Sequence, residues 1–245
     1  KIPRFTFEKF PQAEALLNTS MKSVGEAMSI GRCFAESLQK GLRSMEIGLS
    51  GFNEVKIDGA PDKDAIRAAL IEPRPNRILI VAQAFRHGLN ADEIHTACHF
   101  DPWFLEQIKT IVDEEEGIRK VGLPDNAPEL LRLKKMGFSD QRLAELVNKN
   151  AHEVTEMRLN LDVRPTYKRV DTCAAEFPSL TSYMYSAYEG DGINPPETEV
   201  EASDRTKVVI LGGGPNRIGQ GIEFDYCCVH AAYAMRDIGY ESIMV

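Results

Sequence analysis

The chain has no paired cysteine motif. Five cysteines, Cys33, Cys98, Cys173, Cys227 and Cys228, are scattered without C-x-x-C spacing. That excludes a zinc ribbon and a disulfide framework, and it predicts buried, reduced thiols in a cytoplasmic type of compartment, with plastid or mitochondrion left open. No apolar run approaches the roughly 18 residues of a membrane span, so no membrane partner is expected. Positive charge is also short: 29 Lys and Arg against 37 Asp and Glu leave a net charge of −8. An extended phosphate backbone is a poor partner for such a chain, and no nucleic acid is expected. No Gly-Lys-Ser/Thr follows the glycines at 212–214, which rules out a P-loop. The opening Lys1-Ile2-Pro3-Arg4 has no leader-like pattern and reads as the inside of a domain.

What is present is organised around residues 207–245. Lys207-Val208-Val209-Ile210-Leu211 reads as a strand, and Gly212 to Gly221 as a loop. A helix carrying Cys227, Ala231, Ala234 and Met235 then stops near Gly239, and Ser242-Ile243-Met244-Val245 begins another strand. This is the opening β-α-β unit of an α/β domain. A parallel sheet needs further strands and helices to bury itself, so the sequence is expected to be a piece of a longer protein. The match of the loop to the dinucleotide fingerprint is poor. Gly212 and Gly214 fit, but Arg217 takes the third position and Pro215 lacks a donor, which disfavours a dinucleotide-binding oxidoreductase. A tight turn without ligand and an anion site at a helix N-terminus both stay open, and Arg217 with Glu223 shifts the balance towards the second.

Residues 1–31 read as strands. Val24, Glu26, Met28 and Ile30 alternate with Gly25, Ala27, Ser29 and Gly31, which sets Glu26 on a large-apolar stripe. Either an arginine pairs with it at a strand end, or it lines a polar cavity. Phe34, Leu38, Leu42 and Met45 predict a helix over 32–47, and Gly48-Leu49-Ser50-Gly51 marks a boundary. Residues 52–165 read as helices throughout. Asp62, Asn90 and Asp101 are predicted caps, and Trp103, Phe104, Ile108, Ile111 and Val112 make the most apolar helix, followed by an acidic run at 113–116 read as a solvated face. An internal echo relates Gly88-Leu89-Asn90 with Ile94, Ala97 and Leu105 to Gly137-Phe138-Ser139 with Leu143, Leu146 and Val154. Two such helical hairpins would pack as one small all-α domain.

The second copy also has helix-turn-helix spacing, which raises a rival class, a helical interaction or nucleic-acid-binding module. Its second helix carries Glu153 and Glu156 with Arg158 as the lone cation, and carboxylates repel phosphates. His95 and His99 are four apart, yet no third ligand accompanies them, so surface or capping roles are expected. Residues 163–188 read as an extended, anchored crossing segment, with Lys168, Arg169 and Asp171 at a salt-bridged junction and Tyr183, Tyr185 and Tyr188 available for packing. Residues 189–204, acidic and rich in Gly and Pro, read as a linker.

Four strings in order, KIPRF-x-FEKF at 1–10, MKSVGE at 21–26, YKRVDTCAAEF at 167–177 and GGGPNRIGQGIEFDYCC at 212–228, resemble the large-subunit family of carbamoyl-phosphate synthetase over the whole chain. The resemblance implies a mainly α fold. An all-helical oligomerisation domain (50–165) would be flanked by the tail of a first ATP-grasp domain (1–49) and, after a crossing segment and linker (166–203), by the first β-α-β unit of a Rossmann-like pre-ATP-grasp domain (204–245). In the family, one half forms carboxyphosphate from bicarbonate and ATP and then carbamate with ammonia from a glutaminase subunit; the other half phosphorylates carbamate, which crosses between them in an enclosed tunnel. Glu26, Gly221 and Glu223 match positions lining that tunnel, with Met21, Lys22 and Arg217 as neighbours. The resemblance further implies that this piece alone holds no complete catalytic set, metal or ATP, whereas the parent uses ATP with Mg or Mn and K. Its expected partners are other copies of the large subunit and the glutaminase small subunit.

Overall fold

A computed structural model describes the backbone of residues 1–5, 7, 10, 12–194, 196–212, 217–218 and 222–245, and the side chains of these except at 217–218 and 222–225. It opens on two antiparallel strands, β1 (Ile2–Phe5) and β2 (Ser23–Ala27), with Ile2 opposite Ala27 and Pro3 opposite Glu26. The other described residues among the first 31 do not extend the sheet: the amide of Leu17 bonds instead to the carbonyl of Pro73, 2.7 Å away. Helix α1 (Phe34–Ser44) follows and lies close to the first strand. A Cβ on Gly41 would stand 2.8 Å from Ile2 Cδ1, which accounts for a glycine inside a helix.

The helical part comprises α2 (Lys63–Ile71), α3 (Arg77–Arg86), α4 (Ala91–Cys98), α5 (Pro102–Val121), α6 (Ala127–Lys135), α7 (Asp140–Leu146) and α8 (Ala151–Asn160). The internal echo is a structural repeat. Gly88 (φ 80°) and Gly137 (φ 94°) break the chain after α3 and α6, in a left-handed conformation that glycine adopts without strain. Leu89 and Phe138 then enter the core, and Asn90 and Ser139 cap α4 and α7 through the amides of Glu93 and Arg142. Ile94 matches Leu143 and Leu105 matches Val154, all buried. Both repeats, together with Ala35, Leu38 and Leu42 of α1, share one apolar core.

The acidic run is a solvated face only in part: Asp113 and Glu116 are exposed, Glu115 is not. Helix α5 continues through it to Val121, and Glu115 is fully buried. Arg142, also buried, reaches Glu115 from α7 in a two-point contact, Nε to Oε1 at 2.7 Å and Nη2 to Oε2 at 2.9 Å. Arg86 donates to Glu115 Oε2 from α3 at 2.7 Å, and Arg142 continues to Glu54 and the carbonyl of Phe52. The four consecutive acidic residues give no hint of this in the sequence, because only helix phase separates Glu115 from its exposed neighbours. Conversely, Trp103 and Phe104, read as part of the most apolar helix, are 52% and 42% exposed. They pack edge-on or tilted against Phe34 and each other at the start of α5, immediately before the buried stripe of Leu105, Ile108, Ile111 and Val112.

Glu54 is pulled upward by its partial burial, but hydrogen bonds and charge from Arg142 outweigh this and hold it at about 2. A carboxylate more acidic in the folded chain than in the unfolded one stabilises the fold above its unfolded value, and that contribution is lost as pH falls through the folded one. Urea denaturation across acid pH is therefore expected to show the midpoint dropping between about 4.5 and about 2. In Glu54→Gln this part of the drop disappears; an unchanged acid limb contradicts the assignment.

The segment after α8, read as an extended, anchored crossing segment, contains a hairpin. Strands β3 (Thr166–Arg169) and β4 (Met184–Ala187) pair antiparallel, with Thr166 opposite Ala187. Lys40 fastens it to α1 by donating to the carbonyls of Ser186 and Ile30, each at 2.6 Å. Lys134 lies 5.1 Å from the ring centre of Tyr188, and burial pulls its ammonium down to about 8. Lys168 faces Glu189 and Glu199, so it belongs to an ion-paired junction. Beyond it, β5 (Lys207–Ile210) pairs in parallel with β7 (Glu241–Met244) through α9 (Ile222–Asp237), as the periodicity predicts, with Gly239 at φ 90° after the helix. Cysteine burial departs from expectation: only Cys98 is buried, Cys33 and Cys227 being exposed and Cys173 and Cys228 intermediate, all as free thiols.

Candidate functional site

Between β5 and α9 lies a two-residue strand, β6 (Arg217–Ile218), and it does not join β5. It completes a three-stranded sheet in the order β1-β2-β6, with Ile218 opposite Glu26 and Arg217 opposite Ala27. The strand carrying Glu26 and the glycine-rich loop, nearly the length of the chain apart, are thus neighbours. Glu223 follows Ile218 by five residues, in the first turn of α9.

The chemistry at Glu26 is simple. Lys1, just before β1, pairs with it, Nζ to Oε1 at 2.5 Å, and the carboxylate stays partly accessible. The expected arginine partner is replaced by this lysine, which the register of β1 on β2 brings alongside. The expected apolar stripe around Glu26 is absent: β2 ends at Ala27, which is buried, while Val24 on the Glu26 side is exposed. The small residues of this strand face the packed interior, so Glu26 lies on the accessible face. Met21 is 86% exposed, and Lys22 turns back to donate to the carbonyl of Leu16; neither is drawn to the Glu26–Ile218 pair. Gly221, Gly214 and Pro215 lie outside the described residues, as do the side chains of Arg217 and Glu223.

The rival sites lose their chemistry. Arg158, the arginine of the recognition-like helix α8, is held by Asp140 at 2.9 Å and by the carbonyl of Val163 at 2.9 Å, leaving little for a phosphate. His95 bonds through Nδ1 to the carbonyl of Phe100, and His99 ends α4 in a left-handed conformation at φ 58°. Among the described residues no three His, Cys, Asp or Glu side chains converge on a metal position, and no helix is long and apolar enough to cross a membrane.

Fold and site together define a helical repeat domain that joins two pieces of α/β structure and lets their strands meet. A family model described as carbamoyl-phosphate synthetase large chain, oligomerisation domain, matches residues 26–162. A second, described as carbamoyl phosphate synthase preATP-grasp domain, matches residues 204–245. The chain belongs to the carbamoyl-phosphate synthetase large-chain family, its central part being the oligomerisation domain. It is 60% identical to the carbamoyl phosphate synthase large chains of Brucella melitensis and Rhizobium meliloti, and 56% identical to that of Neisseria meningitidis serogroup B. Each comparison covers all of this chain but only 21% or 22% of the relative, so the chain spans about a fifth of the length of these proteins.

Proposed function

We propose that this chain is the central part of the large subunit of a glutamine-dependent carbamoyl-phosphate synthetase. In the whole protein it serves as the helical joint between two ATP-dependent halves, as a contact between copies, and as part of the wall through which carbamate passes. The parent reaction makes carbamoyl phosphate from bicarbonate, ammonia released from glutamine by a smaller subunit, and two ATP. ATP and its metal ions belong to parts of the parent other than these residues.

The observation that carries this reading is the antiparallel pairing of β2 with β6. This seam fastens the strand bearing Glu26, from one flank of the joint, to a strand of the other flank that lies five residues before Glu223 in the chain. A carbamate anion hydrolyses in bulk water, and a continuous wall across such a seam keeps it enclosed between sites. Glu26, with Lys1 beside it, supplies a charge-balanced polar lining rather than a binding site that would trap the anion.

The test acts on the seam itself. Ala27 pairs with Ile2 on one side and Arg217 on the other, and proline there removes an amide from the middle strand. In the whole enzyme, Ala27→Pro is expected to lower carbamoyl phosphate formation by about tenfold, an extra barrier of roughly 1.4 kcal/mol on the coupled route, while each half continues to hydrolyse ATP. An Ala27→Pro enzyme with intact output sinks the proposal.

A further inference from the structure

Helix α1 bears a charged face beside its apolar one. Glu36 and Lys40, four residues apart, share that face, and both side chains are largely withdrawn from water. A buried ammonium needs acceptors, and burial lowers the pKa of this one. Lys40 finds two main-chain carbonyls, those of Ile30 and Ser186, each at 2.6 Å. Ile30 lies three residues beyond the end of β2, and Ser186 belongs to β4. One side chain of the helical domain thus grips both the exit of the first flank and the hairpin that precedes the second.

The residues around Lys40 close the same junction. Arg32, just ahead of α1, donates its amide to Glu36 Oε2 at 2.6 Å and sets its guanidinium 3.1 Å from Glu189, past the end of the hairpin. Lys168 of β3 faces the other oxygen of Glu189 at 3.6 Å. The hairpin in turn carries the linker. The amide of Glu199 bonds to the carbonyl of Tyr167 at 2.9 Å, and the Glu199 carboxylate accepts from the amide of Arg169 at 2.6 Å. Residues 200–206 alone lie between this docking point and β5 at Lys207. A stretch that short extends at most about 25 Å, so the place of β5 follows that of the hairpin.

We infer that Lys40 is a positioning residue of the proposed passage: by holding Ile30 and Ser186 to one point of α1, it sets β2 and the lead into the second flank where β6 can pair with β2. This rests on the reading of the β2–β6 seam as part of a carbamate wall. It adds the residue that keeps the two sides of that wall together. The seam itself is short, Glu26 with Ile218 and Ala27 with Arg217. Two paired residues do not offset the entropy of closing so long a loop, so the seam depends on what anchors each side.

The test uses the whole enzyme. Lys40→Met keeps the stem and removes the ammonium, and Lys40→Gln keeps a neutral donor. In Lys40→Met the ATP consumed per carbamoyl phosphate formed is expected to rise about threefold or more, because carbamate escapes through a displaced seam. Lys40→Gln should fall between it and the unsubstituted enzyme, and it carries the test where Lys40→Met does not fold. Amide hydrogen exchange in residues 23–27 should quicken about tenfold in Lys40→Met. Glu54→Gln, which weakens the helical core without touching Ile30 or Ser186, should move neither readout. If Ala27→Pro raises the ATP consumed per product and both Lys40 variants leave it unchanged, Lys40 is not a positioning residue while the passage stands. If Ala27→Pro leaves that ratio unchanged, the passage reading fails and this inference with it.

Discussion

Replacing Arg142 by alanine is expected to destabilise the helical domain by about 3–5 kcal/mol, the loss seen when one partner of a buried ion pair is removed. Glu115 would keep Arg86, at 2.7 Å, and the more distant Arg119, at 3.8 Å, and would lose both contacts from Arg142 while still fully buried. The carbonyl of Phe52 would lose one of its donors and Glu54 its strongest charge partner. Since whole domains are stable by only about 5–15 kcal/mol, the shift is large enough to see as a lower urea midpoint and partial unfolding at working temperature. A companion variant separates lost charge from lost packing. Glu115→Leu with Arg142→Met removes both ions at similar volume, and it is expected to recover much of the loss, because an apolar replacement of a buried pair is often neutral. Equal midpoints for Arg142→Ala and the unsubstituted chain would show that the pair is not what joins α5 to α7.

Placing phenylalanine at Gly221 is expected to abolish carbamoyl phosphate formation by the whole enzyme while each half still turns over ATP. The proposed passage runs beside the loop that follows β6, and Gly221 is the residue just before α9 begins. If Gly221 lines the proposed passage, its missing Cβ keeps the bore open, and a benzyl group there would obstruct even a four-heavy-atom anion. The partial reactions distinguish obstruction from misfolding. On the proposed scheme, ATP turnover by each half should persist in Gly221→Phe. Normal output from this variant would remove Gly221 from any carbamate path, and joint loss of all activities would place it in the fold instead.

Much of the architecture was legible because the signals were local. The glycine, buried apolar residue and cap at 88–90 and again at 137–139 fixed both helical hairpins, and the alternation from Lys207 to Val245 fixed the parallel pair around α9. The hairpin of β3 and β4 was harder. Its strands have four residues each and are separated by a long loop, so each looked like extended chain. Burial of single charges was not legible at all. Glu115 sits inside an acidic run and Arg142 beside Gln141, and nothing near either residue names the other.

The candidate site shows the same division. The sequence singled out Glu26 and Glu223, but it set Glu26 on an apolar stripe with either an arginine partner or a polar cavity beside it, whereas the register of β1 on β2 gives it Lys1 and an accessible face. The seam between β2 and β6 could not be foreseen, because its two residues of pairing lie about 190 positions from their partner.

By itself, then, the order of residues determined which segments are helices, where each begins and stops, and that the last forty residues open a parallel sheet, since these follow from side-chain periodicity and capping within a few turns. Only the tertiary structure decided that Arg142 and Glu115 close the two repeats on each other, that Lys40 holds Ile30 and Ser186 together, and that β6 crosses to the opposite flank. Those outcomes depend on which surfaces meet, and contact between distant segments is paid for in loop entropy that no local pattern records.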